Sequence, residues 1–189
     1  VSAVLYRHAW DGEKDHATAV GIATLMLIDA NTLQMSWNLD GESGSERLVL
    51  EAGGCTALGN TGLSPGGHWI AAPATGSEFS ADVLAFPGLE TYIGYLYDGR
   101  GIARWVRAWR DTDASIGDRA DLSAELLRGT CPLCTYTAPT AQPTGTFRRR
   151  YSSPMRGFMG ATVTFPAPMT GGWRSYEEVR MLSTPDDCP

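Results

Sequence analysis

Four aspartates crowd one stretch, Asp111, Asp113, Asp118 and Asp121 in DTDASIGDRAD. Asp-x-Asp spacing brings several hard carboxylate oxygens into a single loop, which is the ligand type calcium takes. The remaining ligands and the terminal glutamate of an EF-hand are missing, and Arg119 stands among the carboxylates. A solvated acidic loop is therefore the preferred reading, with Asp111, Asp113 and Asp118 as weak calcium ligands at most. Asp11-Gly12-Glu13-Lys14-Asp15 reads the same way. His8, His16 and His68 form no HExxH or HxH pattern, which leaves a zinc enzyme without support. Gly41-Glu42-Ser43-Gly44 and Thr75-Gly76-Ser77-Glu78 both miss the GxSxG elbow of a serine hydrolase. The Gly-rich stretches lack a lysine and a following helix, so they do not look like phosphate cradles. No catalytic set survives these comparisons, and the chain is expected to be non-enzymatic and to need no cofactor.

The rings carry a different kind of chemistry. Trp69, Tyr95, Tyr97, Trp105 and Trp109, with Trp173 beyond them, could stack against a sugar or cap a barrel mouth if they share a sheet face. Large aromatics more often fill a core, and that plainer reading stands beside the ligand-binding one. Arg148-Arg149-Arg150 offers a basic patch, but alternation along a strand puts Arg148 and Arg150 on one face and Arg149 on the other.

The four cysteines are Cys55, Cys131, Cys134 and Cys188. Cys131 and Cys134 form a CxxC. A thioredoxin-like redox pair would need a strand-to-helix context that is absent. Half a zinc site would need distant ligands. A short disulfide pinching a loop suits a loop-rich β protein outside the cytosol, and Cys55 is then left to pair with Cys188.

The elements that must position these groups are strands. Tyr92 to Tyr97 and Ile102 to Trp109 are aromatic and β-branched runs separated by Asp98-Gly99-Arg100-Gly101, a strong hairpin signal. Similar period-two runs recur between Gly, Pro, Asp and Asn, at 3–8, 21–28, 33–39, 47–51, 68–71, 78–86, 145–150, 157–165 and 173–182. Asp29-Ala30-Asn31 and Asp40-Gly41 read as turns, making 21–51 a meander. The one helical candidate, 121–128, fits a strand equally well. The spacing predicts an all-β, antiparallel sandwich or barrel-like meander of about a dozen short strands with little helix. A Gly/Ser/Thr/Pro-rich stretch suggests the division 1–54 as a β-meander half-module, 55–66 as linker and 67–189 as a complete β module.

A length of 189 residues with 43% hydrophobic content allows one sizeable core or two small ones. A net charge of −6 argues against nucleic acid as a partner. No apolar run is long enough to cross a bilayer as a helix, so membrane insertion is not expected. The chain opens on Val1 and shows no leader-like segment, as expected of a mature chain whose leader has been removed or of a trimmed piece.

The order of segments carries a resemblance. Val20-Gly21-Ile22-Ala23-Thr24-Leu25, Asp29-Ala30-Asn31, Gly41 and Leu48 resemble the closing part of a repeated β-rich module of secreted proteobacterial proteins. The opening part of that module resembles Gly67-His68-Trp69, Pro73, Gly76, Tyr97-Asp98, Gly101 and Trp105. Its end recurs as Gly160-Ala161-Thr162-Val163-Thr164-Phe165 and Val179-Arg180. Ala103 replaces the usual proline, and Pro166-Ala167-Pro168-Met169 replaces the second turn. The resemblance covers most of 4–51 and 66–183. It implies a secreted or cell-surface β module, with the periplasm as the other option, and the family has no established activity. The expected role is structural or adhesive, with self-association into fibres where the front meander finds strands in a neighbour. The alternative is a surface-glycan or small-ligand module using the aromatic face.

Overall fold

Side chains alternate in phase along nearly every segment, and each such run is a strand. The computed structural model describes residues 1–11, 13–49, 65–71, 79–86, 88–111, 119–129 and 137–182. Among these are thirteen strands, all paired antiparallel, and no helix. The chain divides into two compact units, one holding the first four strands and the other the remaining nine. Cys55, Cys131, Cys134 and Cys188, with Asp113, Asp118, Pro73 and Gly76, lie outside the described residues.

The first unit is an open meander of β1 (Ser2–Trp10), β2 (Asp15–Asp29), β3 (Thr32–Leu39) and β4 (Glu42–Val49), in that spatial order. Its turns follow from local chemistry. Asp29 accepts the Asn31 N–H on its side chain at 2.9 Å, closing the β2–β3 turn. Asp40 and Gly41 both have positive φ, 53° and 88°, as a type I′ hairpin turn requires between β3 and β4. Register sorts the side chains into two faces. Ala23, Trp37 and Gly44 stand in line, as do Leu25, Met35 and Glu46, and then Leu27, Leu33 and Leu48. The opposite face reads Thr24, Ser36, Ser45 and then Ile22, Asn38, Ser43. One face is thus apolar, yet Leu25, Leu27, Leu39 and Leu48 are all exposed. Only Thr32 is buried among the described residues of this unit.

The second unit runs through β5 (Gly67–Ala71), β6 (Ser80–Phe86), β7 (Leu89–Tyr97), β8 (Ala103–Asp111), β9 (Arg119–Arg128), β10 (Thr140–Ser153) and β11 (Arg156–Thr164). β12 (Gly172–Arg174) and β13 (Glu177–Met181) follow one another along β11 as a single broken strand. Successive strands are neighbours, and β13 returns to pair with β5 while β10 pairs with both β9 and β11. The ladder therefore closes on itself, an up-and-down barrel of eight staves, a size whose interior side chains just fill. Trp69, Phe79, Tyr92, Phe147, Met159 and Val179 are buried inside. Gly94 leaves the room that Phe147 occupies, since a Cβ there would lie 3.2 Å from the Phe147 ring. The segment 121–128 is a strand, with Ala120, Leu122, Ala124 and Leu126 buried at alternate positions.

Candidate functional site

The hairpin of β7 and β8 places Tyr95 beside Trp105, Ile93 beside Arg107, and Thr91 beside Trp109. All six point outward, because Tyr92, Gly94, Leu96, Val106 and Ala108 take the buried phase of the same two strands. Trp105 and Trp109 are each 43% exposed, and Tyr95 is 38% exposed. The two indoles stand four positions apart on one strand, roughly 13 Å at the usual rise. Between them Arg107 Nη2 donates to Glu125 Oε2 at 2.8 Å, and Trp109 Nε1 reaches the same oxygen at 3.3 Å. On the other side Tyr95 donates its hydroxyl to Asp82 Oδ2 at 2.5 Å, while His68 Nδ1 lies 2.6 Å from Asp82 Oδ1. Partial burial, then the bond to Asp82 and its charge, push the Tyr95 hydroxyl up to about 12. The result is an outer face of three rings with polar groups between and beside them, an arrangement that can stack on a sugar ring and hydrogen-bond its hydroxyls.

The other rings of the expected set lie elsewhere. Trp69 is fully buried in the barrel core and donates its indole N–H to the Pro65 carbonyl at 2.9 Å. Tyr97 is half-buried at the end of β7, its ring 6.2 Å from that of Trp173. Strand phase turns Trp69 into the barrel, whereas Tyr97 keeps the outward phase of Tyr95 and is set apart from the three-ring face by its packing beside Trp173.

Asp111 is exposed at the end of β8, and no group of three or more metal-ligating side chains occurs among the described residues. Asp121 pairs with Arg148 at 3.0 Å and stands 3.9 Å from Arg119. Around the β1–β2 turn each histidine has a carboxylate, His8 with Asp15 and His16 with Asp11. The His16 ring, then the Lys14 and Glu13 N–H groups, hold the Asp11 carboxyl well below its ordinary range.

Sequence patterns do not announce the cluster buried inside the barrel. Arg149 Nη2 donates to both oxygens of Glu90, at 3.0 and 2.9 Å, and its Nε donates to the Tyr92 hydroxyl at 2.9 Å. Tyr92 donates to Glu90 and meets the Tyr151 hydroxyl at 3.0 Å, while Arg110 adds a second guanidinium to Glu90. Glu90 and Arg149 have no exposed side-chain surface. Burial drives the Tyr92 and Tyr151 hydroxyls above their ordinary range. This is a dense buried network in which two guanidiniums and two hydroxyls gather around Glu90. Arg110 Nη2 is the buried atom it leaves without a hydrogen-bond partner among the described residues. The one available clue was strand phase, which sends Arg149 away from Arg148 and Arg150. No family model, no curated protein and no solved structure matches the chain.

Proposed function

We propose that the chain is a non-enzymatic structural or adhesive β module of secreted material or the cell surface, and that it self-associates through its front sheet. The observation that carries this reading is the uncovered apolar face of β1–β4. Leu27 is 68% exposed and Leu48, in the same row, 38%, and contiguous exposed apolar side chains mark an interaction surface. No described strand pairs with the outer edge of β1 or of β4. In a four-stranded meander these edge strands run in opposite directions, so β4 of one copy can add antiparallel to β1 of another. β1 carries Arg7, already paired with Asp40 of the β3–β4 turn, and β4 carries Glu42 and Glu46 beside Arg47, so the match rests on backbone pairing. Pairing at one edge after another makes an open head-to-tail filament. Concentration-dependent light scattering of the pure protein tests the reading. Scattering should rise with concentration, and Leu27→Asp should abolish the rise. A monomer at every concentration would overturn it.

A second reading rests on the outer face of Tyr95, Trp105 and Trp109, whose exposure a core role does not explain. It is a glycan-binding surface. Titration with exopolysaccharide sugars should shift tryptophan fluorescence, and Trp105→Ala with Trp109→Ala should remove the shift.

A further inference from the structure

A separate feature lies on the outside of the barrel where β10, β11 and β12 meet. Thr146 and Arg148 of β10 stand in register with Thr162 and Gly160 of β11, and Thr162 in turn faces Arg174 of β12. Position 160 has no room for a side chain. A Cβ there would lie 2.1 Å from the Ser175 carbonyl oxygen, where the chain leaves β12 and passes to β13. The Ser175 N–H still holds the Ala161 carbonyl at 3.0 Å, so the crossing backbone is fixed over Gly160. These residues line a cavity of about 550 Å³ with Tyr176 at its rim.

The charge of this basin runs against that of the chain. Arg174 is exposed and has no ion-pair partner among the described residues, while Arg148 shares Asp121 at 3.0 Å with both side chains about half exposed. The described lining thus carries two guanidiniums and no carboxylate in a protein of net charge −6. A guanidinium matches a carboxylate as a planar fork. The hydroxyls of Thr146 and Thr162 stand beside the arginines, and the half-exposed Tyr176 ring offers a flat apolar surface. A volume of this size exceeds what one small inorganic ion fills and lies within the range of small-molecule sites.

We propose that this basin binds a carboxylated sugar, a uronic acid unit of an acidic polysaccharide. Arg148 and Arg174 take the carboxylate, Thr146 and Thr162 bond the ring hydroxyls, and Tyr176 lies against the ring. The site is independent of both the front sheet and the aromatic face of β7 and β8. Calorimetric titration of the full chain with oligogalacturonate, neutral galacto-oligosaccharide and inorganic sulfate at equal ionic strength tests it. The acidic oligomer should bind and the neutral one should not. Arg174→Gln should weaken binding about tenfold or more, as loss of a charged hydrogen-bond partner does. Thr162→Val should weaken it less, and Leu84→Ala, on the exposed side of β6, should leave it unchanged. Circular dichroism should confirm that each variant keeps its fold. Equal binding of the neutral oligomer, full competition by sulfate, an unaltered Arg174→Gln affinity, or no heat at millimolar ligand would each overturn the assignment.

Discussion

Asp98 accepts hydrogen bonds from the Arg100 and Ile102 N–H groups at 2.9 and 3.1 Å, and from Arg104 Nε and Nη2 at 3.0 and 2.9 Å. Burial alone would raise its carboxyl, but these donors outweigh burial and hold it below its ordinary value of 3.8. A carboxyl with a depressed folded pKa adds stability that is complete above the unfolded pKa and drains away as the pH falls through the folded one. Asp98→Asn should therefore lower stability at neutral pH, by about 2–3 kcal/mol for a buried charged acceptor. It should also flatten the loss of stability below pH ~4; parallel urea titrations at pH 7 and pH 3 measure both. Arg149→Leu should cost more, about 3–5 kcal/mol, because it strips Glu90 of its bidentate partner inside the barrel. Adding Glu90→Leu should recover part of that, and a double-mutant cycle reads the difference. At this scale the Tyr97-Asp98 signature was plain in the sequence, though only the structure identifies it as a turn lock. Glu90 was not legible, since a lone glutamate in an alternating run reads as a surface residue until closure puts its phase inside.

Hairpins were the most readable elements, because period-two runs bounded by Asp-Gly and Asp-Ala-Asn leave few other solutions. Barrel closure was less readable. It depends on β13 meeting β5 across more than a hundred residues of chain, and no local pattern reports that contact. The break between β12 and β13 was also hidden, although Gly160 marks it once the backbone is seen crossing there. Gly21 is the corresponding constraint in the front sheet, where a Cβ would lie 1.8 Å from the Asn38 carbonyl oxygen. That atom is backbone and cannot swing aside, so Gly21→Ala should pry β2 from β3. We expect a loss of about 2–4 kcal/mol confined to the first unit. Hydrogen exchange should speed up across β2, β3 and β4 while β7 to β11 keep their protection. Gly94→Ala meets only a ring edge at 3.2 Å and should cost less.

The two units differ in how they could persist alone. The barrel has a buried core of aromatic and aliphatic side chains and a ladder that closes through β13 and β5, whereas the four-stranded sheet has one buried residue among those described. A sheet without a covered face is marginal in water, so its folded state should draw on whatever it binds. Stabilisation by a bound partner grows with the logarithm of partner concentration. If the partner is another copy, unfolding of the front sheet should move with protein concentration, by up to about 1.4 kcal/mol per tenfold change. Unfolding of the barrel should not move. Urea titrations at two concentrations a hundredfold apart, followed by exchange of assigned amides in β3 and in β7, separate the two transitions. A front-sheet midpoint that stays fixed while the protein remains monomeric would mean that the sheet supports itself. Self-association would then lose its physical motive, and the exposed rings of β7 and β8 would become the better guide to what this protein does.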